Sequence, residues 1–229
     1  MVAIVAVLIS QLLIVLYWKD AKFGTVANAF MLVACILSYG SWDFERMVKA
    51  ELKLFMVTKA PEETVVTPEM MSGFPEIIVR WLERSGVVGR EVIHNVYLVQ
   101  SGRMRTKPDG RWMDVKAEQY ISTDPPGFVW KADVKAFPMV HLSGRDKYQS
   151  GEGHMLIKMF SIIPVVNERG SEIDQGAMLR YMAEMVWYPS FAVSDYIKWE
   201  PVDSFSARAT MSYAGMSVTG LFRFDAHGD

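Results

Sequence analysis

Cysteine is almost missing from this chain. A single one, Cys35, stands among 229 residues. No internal disulfide framework and no cysteine-based zinc cluster can form. The redox compartment stays open, because a chain without disulfides fits either side of a membrane. An excess of one charge is lacking too. The 24 Lys and Arg face 26 Asp and Glu, for a formal net charge of −2. Nucleic acid is therefore not an expected partner.

Motifs that carry chemistry are equally scarce. His94, His141, His154 and His227 are scattered, with no His-x-x-x-His or Glu-x-x-His pair to ligate zinc. No serine stands in a Gly-x-Ser-x-Gly elbow. No Gly-x-Gly-x-x-Gly follows a strand signal, and Gly151-Glu-Gly153 reads as a turn. His141 and His154 come close only if their strands are neighbours. Glu118, Asp124, Asp146 and Asp174 could cluster, but nothing in their spacing forces it. No metal, cofactor or catalytic residue is assigned on these grounds.

What the chain does have is apolar residues, 51% of the total, with 16 Met and 7 Trp. Residues 2–18 are uncharged and nearly all apolar, ending in Tyr17 and Trp18. After a short polar turn carrying Lys19, Asp20 and Lys22, residues 25–42 form a second uncharged run ending near Tyr39 and Trp42. Interfacial aromatics at the ends of two span-sized runs predict a transmembrane helical hairpin over residues 1–42. A signal peptide fits less well, since there is no basic leading segment and a second run follows. Residues 43–56 mix charge with apolar side chains and read as a helix entering the headgroup zone. Residues 59–68 have linker composition, so 43–72 is taken as juxtamembrane helix and linker. Basic residues after the second run (Arg46, Lys49, Lys53, Lys59) outnumber those in the turn. The expected location is the cell membrane, with the domain on the cytoplasmic side.

Beyond residue 73 a compact helix is predicted from Phe74 to Gly86. Pro75 stands in its first turn and Gly86 at its stop. From Glu91 onward the period drops to two. Strands are expected at 91–106 and 111–122 around the turn Lys107-Pro-Asp-Gly110, with a break at Thr123-Asp-Pro-Pro-Gly127. Further strands are expected at 128–136, 140–148 and 154–165, then at 196–202, 206–213 and 216–224. In residues 128–136, Phe128, Trp130, Ala132, Val134 and Ala136 share one face. Val129, Lys131, Asp133 and Lys135 share the other, polar one.

One helix interrupts, over 174–187. Ser171 or Asp174 is its expected cap, Pro189 its stop, and Leu179, Met182 and Val186 its apolar stripe, widened by Met178, Ala183 and Met185. The fold class is thus α+β: a transmembrane helical hairpin, then a curved, half-barrel-like antiparallel meander of seven or eight strands over 73–229, with one inserted helix packed on it. The chain ends in a turn-like 225–229 with no returning strand. This suggests C-terminal truncation and self-association through the last strand.

The stretches Thr123-Asp-Pro-Pro-Gly-Phe-Val-Trp130, Leu179-Arg-Tyr-Met-Ala-Glu-Met-Val-Trp187 with Pro189, and Trp199-Glu-Pro-Val-Asp203 with Ser206-Ala-Arg-Ala-Thr210 resemble an uncharacterised prokaryotic family. It is a domain of unknown function, usually carried behind one or more membrane spans. The resemblance covers roughly residues 73–229. It implies no established reaction and no catalytic residue. It also implies further strands past a turn like 225–229. The sheet pattern is similar to the curved half-barrel of lipoprotein carriers of the LolA and LolB type.

Three readings follow. The first is a non-catalytic, membrane-anchored module holding an apolar or lipid-like ligand between the curled sheet and the helix. Its candidate lining is Trp112, Trp130, Met155, Leu179, Met182, Trp187 and Trp199. Membrane lipid and that ligand are its expected partners. The second is a structural or interaction domain with a filled core. The third is a hydrolase-like enzyme using Asp174 and Glu184, with Arg180 orienting them. Arg180 and Glu184 are spaced to form a structural ion pair on one helical face.

Overall fold

The computed structural model describes residues 2–55 and 64–225. The linker segment 59–63 and the turn residues 226–229 lie outside the described residues. Two helices lead the chain, α1 (Val2–Leu16) and, after the single turn α2 (Trp18–Ala21), α3 (Gly24–Phe55). They run antiparallel. Ile14 packs on Gly24, and the Asn28 amide donates to Gln11 Oε1 at 3.0 Å. That clasp is the polar interior of an otherwise apolar pair, and Leu8, Leu12, Val26, Phe30 and Val33 all face outward, exposed. Gly24–Lys53 is long and apolar enough to cross a membrane by length and composition, whereas α1 has only 15 residues.

α3 does not stop where its charges begin. No Gly or Pro interrupts residues 43–55, and Glu45, Lys49, Ala50, Glu51 and Lys53 are good helix formers. Phe44, Val48 and Phe55 are buried against Val129 and Leu156 of the sheet. The second half of α3 is docked on the domain, and it covers the face of the sheet expected to be polar.

The six-stranded sheet runs in chain order: β1 (Asn95–Met104), β2 (Met113–Thr123), β3 (Pro126–Phe137), β4 (Val140–Gln149), β5 (Glu152–Met159) and β6 (Ile163–Glu168). A second, three-stranded sheet holds β7 (Ile197–Asp203), β8 (Ser206–Tyr213) and β9 (Met216–Arg223). All pairings are antiparallel, giving nine strands with no closed barrel among the described residues. Three expectations are corrected here. The segment 154–165 is two strands, because Phe160 and Ser161 both adopt positive φ and turn the chain. The break at Thr123-Asp-Pro-Pro-Gly127 is only a two-residue turn, since Thr123 already pairs with Pro126. The last three strands leave the meander to form their own sheet.

Between the sheets lies α5 (Ser171–Ala183), followed by 3-10 turns at Glu184–Trp187 and Pro189–Val193. Gly170 stands at its N-cap, with no side-chain cap from Ser171 or Asp174. Its buried face is Ala177, Met178, Tyr181 and Met182, continuing to Met185. Leu179 and Val186 are exposed. Met178, Met182 and Met185 of the expected stripe are thus buried, Leu179 and Val186 are not, and Ala177 and Tyr181 take their place. Tyr181 decides this, because its ring is buried while its hydroxyl donates to the Ser122 carbonyl at 2.8 Å. α4 (Glu76–Arg84) closes the core with Ile77, Ile78, Trp81 and Leu82. Met71, in the stretch read as linker, is also part of this core, and Val66 beside it is fully buried. Each such fully buried apolar side chain contributes roughly 1.5–3 kcal/mol relative to exposure.

Register fixes which ends of the sheet face which way. Gly102, Val115, Val134, Leu142 and Met159 stand side by side across β1–β5. Beyond them, at one end, lie the β1–β2, β3–β4 and β5–β6 turns. α3 reaches that end first: Ile162 packs directly on Gly40, leaving no room there for a Cβ. At the other end Phe55 abuts Gly127, beside the β2–β3 turn. The two are called the near and far ends below. Fifteen helical residues separate Gly40 from Phe55, about 22 Å along the axis.

Candidate functional site

Two polar networks flank β4 and use alternate residues of it. Toward α5, the Arg180 guanidinium donates to Asp146 Oδ2 at 2.7 Å and to Glu184 Oε1 at 2.8 Å. A third bond, at 3.3 Å, goes to Gln119 Oε1, and the Gln119 amide donates to Glu184. The guanidinium also stands 4.7 Å from the Phe128 ring centroid and 5.2 Å from that of Trp130. Trp130 Nε1 donates to Gln100 Oε1 at 2.9 Å. Burial pushes the Asp146 carboxyl above its ordinary range, and Arg180 opposes that shift.

Toward α3, the buried Arg145 meets Glu51. Nε and Oε2 lie 2.9 Å apart as an ion pair, off-line for a hydrogen bond. Lys147 Nζ donates to Glu51 at 3.1 Å, and Lys131 pairs with Glu45. Arg145 Nη2 reaches His154 Nδ1 at 2.8 Å, and His154 Nε2 reaches Asn167 Oδ1 at 2.8 Å. Arginine can only donate, so Nδ1 accepts and Nε2 carries the proton. Burial lowers the pKa of this histidine. Both networks bind elements together, and Gln100 and Lys131 also line a cleft of about 470 Å³ on β1–β3 with Lys116, Glu118 and Asp133.

An open space lies at the far end. A cleft of about 430 Å³ sits between the start of the sheet, the β2–β3 turn and the 3-10 segment after α5. Met70, Val92, Phe191 and Val193 give it an apolar side. His94, Asp124, Ser194, Asp195 and Tyr196 give it a polar one. The Tyr196 hydroxyl donates to Asp124 Oδ1 at 2.9 Å. Burial and then this bond push its pKa up to about 12, so it is protonated at neutral pH. Ser190 and Thr123 hold the cleft's floor: Ser190 Oγ accepts from the Ile93 N–H at 2.9 Å, and Thr123 Oγ1 donates to the Ile93 carbonyl at 2.8 Å. Ser194 Oγ is buried with no partner among the described residues.

The seven residues expected to line a ligand pocket do not surround one space. Trp112, Leu179 and Trp187 are exposed. Met182 and Trp199 are in the core, with Trp199 Nε1 donating to the Ala192 carbonyl at 3.0 Å. Met155 is half-buried on β5, opposite Asp146 in register. Trp130 is half-buried beside Arg180. Of the proposed acid–base pair, Asp174 accepts the Gly153 N–H at 2.6 Å and Glu184 is bound by Arg180. The Arg180–Glu184 ion pair is present. His141 and His154 are apart, at opposite ends of neighbouring strands. The cleft was missed because its residues come from four separated segments. Gln119 had a signal: it occupies an inward position between Ala117 and Ile121.

The fold and its cleft define an α+β domain in which a helix is sandwiched between two antiparallel sheets, carried on a long apolar helix. Residues 64–229 match DUF6544, a family of unknown function, and the chain belongs to that family. No curated protein and no solved structure matches it.

Proposed function

We propose that this protein is a membrane-anchored, non-catalytic binding module whose ligand is amphipathic, a lipid-like or comparable small molecule with an apolar body and a hydrogen-bonding head. The observation that carries this reading is the far-end cleft, with apolar residues on one side and, on the other, polar residues that include the buried Ser194 hydroxyl, without a partner among the described residues. The expected site between α5 and the six-stranded sheet is filled by Phe128 and Tyr181, both fully buried, with the Tyr181 hydroxyl bound to the Ser122 carbonyl. Anchoring is supported by the apolar surface of α1 and α3, whose burial in lipid offsets what water would cost. The docked half of α3 then holds the cleft away from the bilayer, where a ligand arrives from solution or a partner.

Native mass spectrometry of the full chain, extracted in mild detergent, tests this. The wild-type protein should retain a bound mass, and Val193→Trp, which fills the cleft, should lose it while keeping its melting temperature. Binding of a fluorescent fatty-acid analogue should follow the same pattern. If the wild-type chain carries no added mass and the analogue binds both proteins equally, the ligand reading fails. A structural or interaction domain would then be the better account.

A further inference from the structure

We infer that the near end of the six-stranded sheet is a second membrane-contact surface, built to lie on anionic lipid headgroups. This rests on reading α3 as a membrane span, and it specifies which face of the domain meets the bilayer.

Topology supplies the first argument. The β1–β2, β3–β4 and β5–β6 turns all project beyond the row formed by Gly102, Val115, Val134, Leu142 and Met159. The β5–β6 turn touches α3 at Gly40 and Ser41, where the apolar run gives way to Trp42 and Asp43. The other two turns stand at the same level, so all three reach the plane where the span leaves the lipid.

Composition supplies the second. The β1–β2 turn region carries Arg103, Arg105, Lys107 and Arg111 against Asp109, in a chain that is acidic overall. Arg105 stands 4.8 Å from the Trp112 ring centroid. Arg111 stands 5.3 Å from that of Phe137, which ties the first turn to the second. Phe137 is exposed, and Met139 at the tip of the β3–β4 turn is 88% exposed. In the β5–β6 turn and the following edge strand, Ile162, Ile163 and Val165 are exposed. Arginines beside exposed aromatic and aliphatic side chains form the mixture favoured at the water–lipid boundary. Lys and Arg there attract anionic headgroups. At the start of β6, Ile163 would otherwise be left to water.

The test uses the full chain with Cys35→Ser, reconstituted in phosphatidylcholine vesicles with and without phosphatidylglycerol. Single cysteines are introduced in turn at Met139, Ile163, Phe30 and Glu152, and each is given an environment-sensitive fluorophore. Quenching by lipids spin-labelled near the headgroup is then read. With phosphatidylglycerol present, Met139 and Ile163 should be quenched several-fold more than Glu152 at the far end. Changing Arg105, Lys107 and Arg111 together to Gln should reduce the Met139 quenching several-fold without altering that at Phe30. Met139 and Ile163 quenched no more than Glu152, with Phe30 quenched, overturns the surface and leaves the anchor standing. Phe30 unquenched overturns the anchor and the surface with it. Met139 shielded from iodide yet untouched by lipid quenchers assigns the face to a second copy of the chain and also overturns the proposal.

Discussion

Arg145 and Asp146 are consecutive residues of β4 that point to opposite faces of the sheet, and each is central to a separate buried ion network. The first network fastens α3 through Glu51, and the second fastens α5 through Arg180. The strand's two-residue period makes this possible. A helix that reads as a membrane stem is thereby locked to the domain through one side of β4. The helix that organises the domain's core is locked through the other. The stem and the core share a strand, so the cleft's position relative to the anchor is fixed by the sheet and not by a loose linker.

The first prediction concerns Arg180. Replacing it with Ala leaves Asp146 buried with no guanidinium beside it. The loss should be about 3–5 kcal/mol, the usual consequence of removing one partner of a buried pair. Its pH dependence has a definite sign. The Asp146 carboxyl is already raised by burial, so the folded state binds more protons than the unfolded one just above the ordinary value of 3.8. Stability contributed at this site therefore falls as pH rises through that window. Without Arg180 the window widens upward. The deficit of the variant should shrink as pH drops toward the carboxylate range, and Asp146→Asn should restore part of it. Chemical denaturation at neutral and mildly acidic pH checks this. A deficit that is independent of pH and unmoved by Asp146→Asn would sink the idea.

The second prediction concerns His154. Burial pushes its pKa below 6.5, helped by Arg145, Arg169 and Lys147 and opposed by its bond to Asn167. Below 6.5 the unfolded chain takes up a proton that the folded chain resists. Stability at this site is therefore full above 6.5 and is lost as pH falls through the window beneath it. The slope should approach but not exceed about 1.4 kcal/mol per pH unit, the limit for one proton. His154→Gln should flatten that slope. Denaturant midpoints across the window read it directly, and a wild-type slope matching the variant's would exclude His154 as its source.

Much of this architecture was legible in the sequence, and the failures share a cause. Residues 206–213 alternate so regularly that the strand's bounds and inward face follow from the period alone. The turn residues Lys107-Pro-Asp-Gly110 set the β1–β2 hairpin in the same way. Period fails where a side chain belongs to two classes. Tyr181 is apolar in its ring and polar at its tip, and the expected stripe of α5 left it out although it is fully buried. Val129 and Lys131 sit on a face that looked solvated, and only tertiary contact with α3 shows it to be covered. The cleft was beyond reach for another reason: Met70, His94, Asp124 and Tyr196 meet through folding and not through spacing.

The third prediction concerns the anchor. Two antiparallel apolar helices should leave the protein in the membrane pellet after alkaline carbonate extraction, and release into the supernatant would refute the anchor. With basic residues concentrated after the second apolar run, the domain should face the cytoplasm. A cysteine placed at Glu63 in a Cys35→Ser chain should then stay unlabelled by a membrane-impermeant maleimide in intact cells. Labelling there would place the domain outside.

The fourth prediction distinguishes two glycines that flank α5. On one side, a Cβ at Gly153 would stand 2.7 Å from the Ile173 carbonyl oxygen and 2.9 Å from its carbon, both backbone atoms of the helix. On the other, a Cβ at Gly220 would stand 2.8 Å from Met182 Cε, the end of a flexible side chain. The distances are alike, but what must move differs. At Gly153 the helix itself has to shift. That would strain the bond from the Gly153 N–H to Asp174 and the ion pairs of Arg180 further along. At Gly220 a methionine changes rotamer, which such side chains do readily. Gly153→Ala should therefore destabilise by about 1–3 kcal/mol or more, the range for overpacking a filled interior. Gly220→Ala should stay within about 1 kcal/mol, since the added methyl is tolerated where volume can adjust. Thermal and denaturant unfolding of the two variants side by side gives the comparison. Equal losses at both positions would mean that α5 is not held against β5 as closely as these contacts require.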